Sequence, residues 1–390
     1  MTSPIRFLDL FAGCGGLSDG FISVPGFEPV AHVEWKKAPA DTLRQRLKSK
    51  HLPGNESVIE CDITDHDRVF HDLGLIVGKS PIDLIIGGPP CQAYSIAGRV
   101  RDPNGMQDDY RNYLFEAYLA IARRYQPPVL VFENVPGMLS ASPGGIPIVE
   151  RIRSSFNTSQ YDILADLSQA VVKMENFGLP QRRSRVIIVA LHRRVTRGID
   201  PQALLAGFYL ALSRRQVSRR RTVGDAIGKL PAPPMLTKGA KWTPQDWPKP
   251  IAVNPLHVAR FVNARDRKIF SLLANDRLQR ESMYASTDAL KQLYTHVTGR
   301  TSKVHKYHVI DPNDQSNLIP AHLKKDGLRH IHYSGHQARS ITMLEAARLQ
   351  GFPDDYPFIG SQGEIFEMIG NAVPPLFSAI LARTLIEYFG

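Results

Sequence analysis

Ile5-Arg6-Phe7-Leu8-Asp9-Leu10-Phe11-Ala12-Gly13-Cys14-Gly15-Gly16 stands at the head of the chain. An apolar run of strand length carries one acid, Asp9, and then breaks into a turn with glycines at 13, 15 and 16, where backbone can come close to a ligand. Further strand patterns follow at residues 29–34, 58–62, 82–86, 129–133, 161–166 and 185–191, with helical patterns between them, as at 113–125. This alternation predicts an α/β fold: a doubly wound, mostly parallel sheet.

In such sheets ligands bind beyond the carboxyl ends of the strands. Asp9 lies in the first strand, Glu34 ends the second and Asp62 ends the third. An acid at the position of Glu34 suits ribose hydroxyls. Trp35, next in the chain, offers an adenine-stacking face, and Asp62 an acceptor for an adenine amino group. Asp9 or Asp62 alone reads equally well as a helix cap; the three acids at successive strands predict a nucleoside site. The glycine turn by itself also fits a dinucleotide oxidoreductase, although Ser18 interrupts the full G-x-G-x-x-G pattern.

The fourth strand pattern runs into Gly87-Gly88-Pro89-Pro90-Cys91-Gln92-Ala93-Tyr94-Ser95. Two prolines stiffen the backbone and remove two N–H donors, so Cys91 reads as a thiol presented at a rigid turn, a candidate nucleophile. A lone cysteine after a strand is otherwise a packed core thiol, the reading that suits Cys14 and Cys61. Glu133-Asn134-Val135 ends the fifth strand; its carboxyl belongs near Cys91 as an acid or hydrogen-bond donor. Arg183 and Arg185 alternate at strand period, which predicts that both point to one face and bind a carbonyl, carboxylate or phosphate.

The 390 residues carry a formal net charge of +11, and the excess is concentrated. Residues 182–221 hold eleven arginines, no lysine and one acid, Asp200. Guanidinium forks match phosphate oxygens, which predicts a nucleic-acid partner over a merely solvated basic face. Three widely spaced cysteines exclude a disulfide framework or a zinc spacing and predict a reducing cytosol; no metal is expected. The N-terminus lacks a signal-peptide layout, and no stretch is expected to reach the ~20 apolar residues of a membrane span. After residue 195 the strand–helix alternation fades into a stretch rich in Pro, Lys and Trp, then a partly helical stretch over 256–295 and a polar, histidine-rich one. Domain boundaries are expected at 1–195 plus 362–390 for the sheet domain and 196–361 for an inserted second domain with its hinge.

Taken in order, six blocks resemble the cytosine-5 DNA methyltransferases. They are Phe7-Leu8-Asp9-Leu10-Phe11-Ala12-Gly13-Cys14-Gly15-Gly16-Leu17, Gly88-Pro89-Pro90-Cys91-Gln92, Glu133-Asn134-Val135, Gln181-Arg182-Arg183-Ser184-Arg185, Ala347-Arg348-Leu349-Gln350-Gly351-Phe352-Pro353-Asp354 and Gly370-Asn371-Ala372-Val373-Pro374. The resemblance implies a Rossmann-like S-adenosylmethionine-dependent methyltransferase fold, with a smaller inserted target-recognition domain in the uncovered middle. It also implies a specific duplex DNA sequence as substrate. Cys91 would attack carbon 6 of a flipped-out cytosine, Glu133 would bond ring nitrogen 3 and the amino group, and Arg185, with Arg183, would hold the carbonyl oxygen. For S-adenosylmethionine it implies Asp9, Phe11, Gly13, Gly15, Glu34, Trp35, Asp62, Ile63, Pro89, Asn371 and Val373. A closing loop would bring Ser95, Arg99 and Arg101 to the DNA. A monomer in a bacterial or phage-host cytosol is expected, and the family accommodates both an enzyme paired with a cognate restriction endonuclease and one that acts alone. Tyr94 and Ala372 stand where many relatives have Phe and Ser, and neither change removes a catalytic group.

Two other readings use the same blocks. A tRNA cytosine-5 methyltransferase would share the pocket, but the long middle insertion and its arginine-rich entry favour duplex DNA, and that subgroup's Cys-Phe-Thr signature is absent. A non-catalytic DNA-binding regulator leaves the joint presence of Cys91, Glu133 and Arg185 unexplained.

Overall fold

The computed structural model describes residues 3–90, 114–142, 145–243, 254–301 and 306–390. These residues form two compact units. One comprises Met1–Phe177, Ser184–Val217 and Val373–Gly390; the other comprises Gly178–Arg183 and Ser218–Ala372. The units divide at 217/218 and 372/373, and residues 178–183, which include the first part of the Gln181–Arg185 block, go to the second unit.

The first unit is built on an eight-stranded sheet. Its strands are β1 (Ile5–Leu10), β2 (Phe27–Glu34), β3 (Val58–Glu60), β4 (Leu84–Gly87), β5 (Val129–Asn134), β6 (Tyr161–Asp162), β7 (Val171–Lys173) and β8 (Ser184–His192). The order is β3-β2-β1-β4-β5-β8-β6, with β7 also on β8. The first five strands are parallel; β8 runs antiparallel to β5, β6 and β7. The expectation of a mostly parallel α/β sheet is met, with an antiparallel edge. The order of strands in the sheet reverses between β1 and its parallel neighbour β4, the switch point where such sheets hold ligands.

Helices α1 (Gly16–Ile22), α2 (Lys37–Ser49), α3 (His66–Val77), α4 (Leu114–Tyr125), α5 (Ile148–Thr158) and α6 (Pro201–Ser213) belong to this unit. Leu84, Ile85, Ile86 and Gly87 are buried throughout, as a central parallel strand requires. Tyr118 of α4 lies fully buried and donates to the carbonyls of Ile85 and Val131 at 2.9 and 3.1 Å. Its ring meets Phe132 edge-on at 5.5 Å. An ion pair sealed in the interior joins α1 to α2, Arg46 Nε to Asp19 Oδ1 at 2.6 Å.

The second unit has isolated β-bridges but no named strand among the described residues. It contains α7 (Val223–Ile227), α8 (Ala264–Gln279), α9 (Thr287–Thr298), α10 (Met343–Leu349) and α11 (Gln362–Asn371). Ile269, Phe270 and Leu273 of α8 pack with Leu293 of α9, Val309 and Ile331. Thr342 and Ser361 close reciprocal capping boxes with Glu345 and Glu364. Glu345 also takes a two-pronged, buried pair of bonds from Arg339, both at 2.7 Å.

The final helix, α12 (Pro375–Phe389), returns to the first unit and packs on α1. A Cβ on Gly20 would fall 2.2 Å from the Ser378 Cβ, so the two helices need glycine there. Contrary to the sequence expectation, Gln362–Phe389 does have the length and composition of a membrane span. It is two helices broken at extended Ala372 and at Pro374, and most of its apolar window is buried in the protein.

Candidate active site

Three strand ends of the first unit carry the first group of candidates. After β1 the backbone turns left-handed at Phe11 (φ 60°), Gly13 (57°) and Gly15 (88°). Glycine takes this conformation without cost, whereas Phe11 is strained there, a feature that concentrates at functional sites. The turn is tied to the end of β2: Glu34 Oε2 accepts the Gly13 N–H at 2.9 Å, and Oε1 accepts the Lys36 N–H at 2.9 Å. Burial pushes the Glu34 carboxyl up from the ordinary range against these bonds. The Trp35 indole beside it is 56% exposed, an unusual cost for so large an apolar ring. Past β3, Asp62 Oδ1 accepts the Thr64 N–H and hydroxyl at 2.9 and 2.8 Å, and Ile63 is buried.

The neighbouring registers Leu10 with Val33 and Glu34 with Glu60 bring these three ends side by side. Among the described residues, nothing lies within 4 Å of where a Gly13 Cβ would be. An uncovered indole next in the chain to the Glu34 carboxylate, on strand ends that also carry Asp62 and the glycine turn, fits an adenosine bearing a charged tail.

Asp9 does not join that surface. It is 1% exposed and accepts the Ser18 hydroxyl of α1 at 2.5 Å. Burial, with a smaller push from Glu34, raises its carboxyl to about 7 against the Ser18 bond. Asp9, expected among the donor-binding residues, fastens α1 to β1 beneath the turn. Ser18 was missed in the sequence; a hydroxyl on the inward face of the helix after an acid-bearing strand was the signal.

The second group lies at β4, β5 and β8. Glu133 of β5 faces Ile187 across the antiparallel pair, and Arg185, two residues along β8, lies on the same face. Arg185 Nε is 2.8 Å from Glu133 Oε1, and each side chain is 12% exposed. A Cβ on Gly88 would meet Glu133 Oε2 at 2.7 Å, so glycine makes room for the carboxylate beside the end of β4. Pro89 is buried and Pro90 exposed. Cys91 follows Pro90 in the chain and lies outside the described residues, as do Ser95, Arg99 and Arg101.

Arg183 is placed differently from Arg185. It precedes β8 and belongs to the second unit. It is 1% exposed, and its guanidinium donates to the carbonyls of Gly370 and Ala372 at 3.2 and 2.9 Å. The shared face expected from strand period fails because the strand begins only at Ser184. Asn371 is exposed at the end of α11 in the second unit, and Val373 is buried in the first.

The arginine-rich stretch is likewise less uniform than its composition implied. Arg182 pairs with Asp314, Arg185 with Glu133, Arg193 with Asp162, Arg215 with Glu387 and Arg219 with Asp225. With Arg183 on carbonyls, at least six of its eleven guanidinium groups are engaged by the protein's own groups.

The sequence profile of the C-5 cytosine-specific DNA methylases matches residues 5–387. The chain belongs to this family. A type II methyltransferase of Bacillus paralicheniformis, M.Bpa9945I, is 30% identical, with 97% of this chain and 98% of that one aligned. M1.HphI of Haemophilus parahaemolyticus is 26% identical over 98% of this chain and 87% of its own. Among solved structures, a DNA modification methyltransferase encoded within an E. coli prophage superposes with a TM-score of 0.66 at 24% identity, covering 99% of both chains. The Dnmt2 methyltransferase of S. pombe does so at 0.54 and 14%, covering 98% of both. These two likenesses establish the fold, a Rossmann-like methyltransferase sheet. The protein is thus a DNA cytosine-5-methyltransferase by family.

Proposed function

We propose that this methylase moves a methyl group from S-adenosylmethionine to carbon 5 of a cytosine flipped out of duplex DNA, through a transient bond between Cys91 and carbon 6. The Glu133–Arg185 ion pair beside Gly88 carries the reading. It pairs a carboxyl with the Arg185 guanidinium, next to the strand end from which Pro89, Pro90 and Cys91 follow.

Carbon 5 of cytosine is a poor nucleophile. Addition of the Cys91 thiolate at carbon 6 consumes the ring double bond and leaves carbon 5 electron-rich. Glu133 hydrogen-bonds ring nitrogen 3 and the amino group, where charge develops, and Arg185 holds the carbonyl oxygen while fixing Glu133. Bound S-adenosylmethionine supplies a methyl group on a cationic sulfur. Carbon 5 then loses its proton, the electron pair of that C–H bond restores the double bond, and the Cys91 sulfur departs.

The donor is held by Glu34 at the ribose, Trp35 on the adenine face, and Asp62 with Ile63 at the adenine edge. Phe11, Gly13 and Gly15 flank the methionine portion, with Pro89, Asn371 and Val373 completing the contacts. Asp9 supports this surface from below. The unit spanning 218–372 reads the DNA sequence, and Ser95, Arg99 and Arg101 close on the extruded base. The type II names of the relatives favour a restriction–modification setting with a cognate endonuclease, in a cytosol where DNA is accessible.

Bisulfite sequencing of DNA from cells expressing the chain tests this reading. Conversion-resistant cytosines within one short sequence context are expected, absent from cells expressing Cys91→Ser. Uniform conversion in both would remove it.

A further inference from the structure

Two buried polar side chains of the second unit, Arg183 and Gln350, converge on one short piece of backbone, and a third, Gln181, braces Gln350. Gln181 and Gln350 are fully buried and Arg183 is 1% exposed. Gln350 Nε2 donates to the Ala372 carbonyl at 2.7 Å. Arg183 Nη2 donates to the same carbonyl at 2.9 Å and to that of Gly370 at 3.2 Å. Gln181 locks its neighbours: Nε2 donates to Gln350 Oε1 at 2.5 Å and to the Leu349 carbonyl at 3.0 Å, and Oε1 accepts the Ile319 N–H at 2.9 Å. Gly370 is closed against the same framework, since a Cβ there would lie 2.4 Å from the Ala321 nitrogen and the Pro320 carbonyl carbon.

The residue enclosed by these contacts is Asn371, and it is exposed. The carbonyls on both its sides are held, one of them twice, by Arg183 and Gln350. A buried guanidinium bonding to carbonyls is strongly favoured once made and expensive to disrupt. A rigid frame around one exposed amide is how a binding side chain is kept in place. A frame needed only to stabilise the fold would have no reason to leave its centre exposed.

We propose that Arg183, together with Gln350, is a positioning residue that acts through the Gly370 and Ala372 carbonyls to fix Asn371 for the methyl donor, and that Arg183 makes no contact with the target cytosine. The proposal rests on the assignment of Asn371 to donor binding. It also accounts for two arginines two residues apart with unlike surroundings: Arg185 serves the base and Arg183 serves the donor.

The test measures the Kd of S-adenosylhomocysteine by calorimetry on the full chain, alongside kcat and the KM for DNA, well below the melting temperature. Arg183→Lys keeps the charge but loses the fork that spans two carbonyls. Gln350→Met removes the other donor to Ala372 and stands in if Arg183→Lys does not fold. Asn371→Ala is expected to weaken binding about tenfold, equivalent to ~1.4 kcal/mol, and each positioning variant should do the same with the KM for DNA unchanged. Combined with Asn371→Ala, neither should weaken binding further, because both act through that side chain. If Asn371→Ala weakens binding while Arg183→Lys and Gln350→Met do not, the positioning role fails alone. If Asn371→Ala leaves binding intact, the assignment of Asn371 fails and takes the role with it. A fall in kcat or a raised KM for DNA in Arg183→Lys, at unchanged Kd, would instead put Arg183 on the substrate. Additive losses in the double variants would also overturn the proposal.

Discussion

Arg185 Nε lies 2.8 Å from Glu133 Oε1, an ion pair running diagonally across two antiparallel strands with both side chains almost enclosed. Such a pair fixes a carboxyl in one orientation before any substrate arrives, and fixed charge is what stabilises a developing one. Glu133→Gln and Arg185→Lys should therefore each lower kcat by about 10²-fold or more, with S-adenosylhomocysteine binding retained. Transfer of tritiated methyl groups to DNA measures the first and calorimetry the second. Activity within a few-fold of the parent would detach the pair from the chemistry.

Gly88 supplies a more delicate test of the same geometry. An alanine methyl at this position would meet Glu133 Oε2 at 2.7 Å, and the carboxylate must move to admit it. Small displacements of a reacting group cost about 10²-fold in rate. Gly88→Ala should lose activity on that scale while its melting temperature stays close to the parent's. Full activity would show that the carboxylate's present position is not the working one.

The Arg339–Glu345 pair has a different purpose. It is sealed in the second unit, where Glu345 also caps α10, and Arg339 holds the Glu345 carboxyl below its usual range despite burial. Removing one partner strands a buried charge, at a cost of about 3–5 kcal/mol. Arg339→Met should lower the urea midpoint accordingly, and adding Glu345→Leu should recover part of the loss. No recovery would mean that packing, not the stranded charge, sets the cost.

Acid should destabilise the fold through its histidines. Burial pushes His32, His330 and His332 down to about 4 from an ordinary 6.5. Between those values the unfolded chain binds more protons, so their contribution is complete above pH 6.5 and lost as pH falls towards 4. Asp9 works the other way: raised to about 7, it costs stability as pH climbs from 4 to 7, and Glu34 adds in the same sense. Three imidazoles outweigh the two carboxyls, so urea midpoints should drop from pH 7 to 5. His330→Gln should flatten that slope by up to ~1.4 kcal/mol per pH unit. A midpoint that rises on acidification would contradict the balance.

The sheet was legible because its strands are the kind that sequence shows best. Residues 5–10, 84–87 and 129–134 carry apolar side chains on both faces with few polar interruptions, and each is followed by a turn that glycine or proline marks. Strand β7 and helix α6 escaped notice: β7 has only three residues, and α6 is apolar nearly all round, so neither shows a period. Strand period left the partner of the β8 arginines open among a carbonyl, a carboxylate and a phosphate, and the structure pairs Arg185 with the Glu133 carboxylate. The separation of Arg183 from Arg185 was not legible, because periodicity assumes that a strand has already begun. The arginine-rich stretch misled for a related reason. Composition counts charges, while Asp162, Asp225, Asp314 and Glu387, which neutralise several of them, come from other parts of the chain.

The covalent step is the centre of the mechanism, and a cytosine carrying fluorine at carbon 5 isolates it, since fluorine cannot leave as a proton. Duplex DNA with 5-fluorocytosine at the methylated position should, with S-adenosylmethionine present, give a protein–DNA band that survives denaturing electrophoresis and yields a peptide linked through Cys91. Failure of that band to form with active enzyme, or its persistence in Cys91→Ser, would contradict the account.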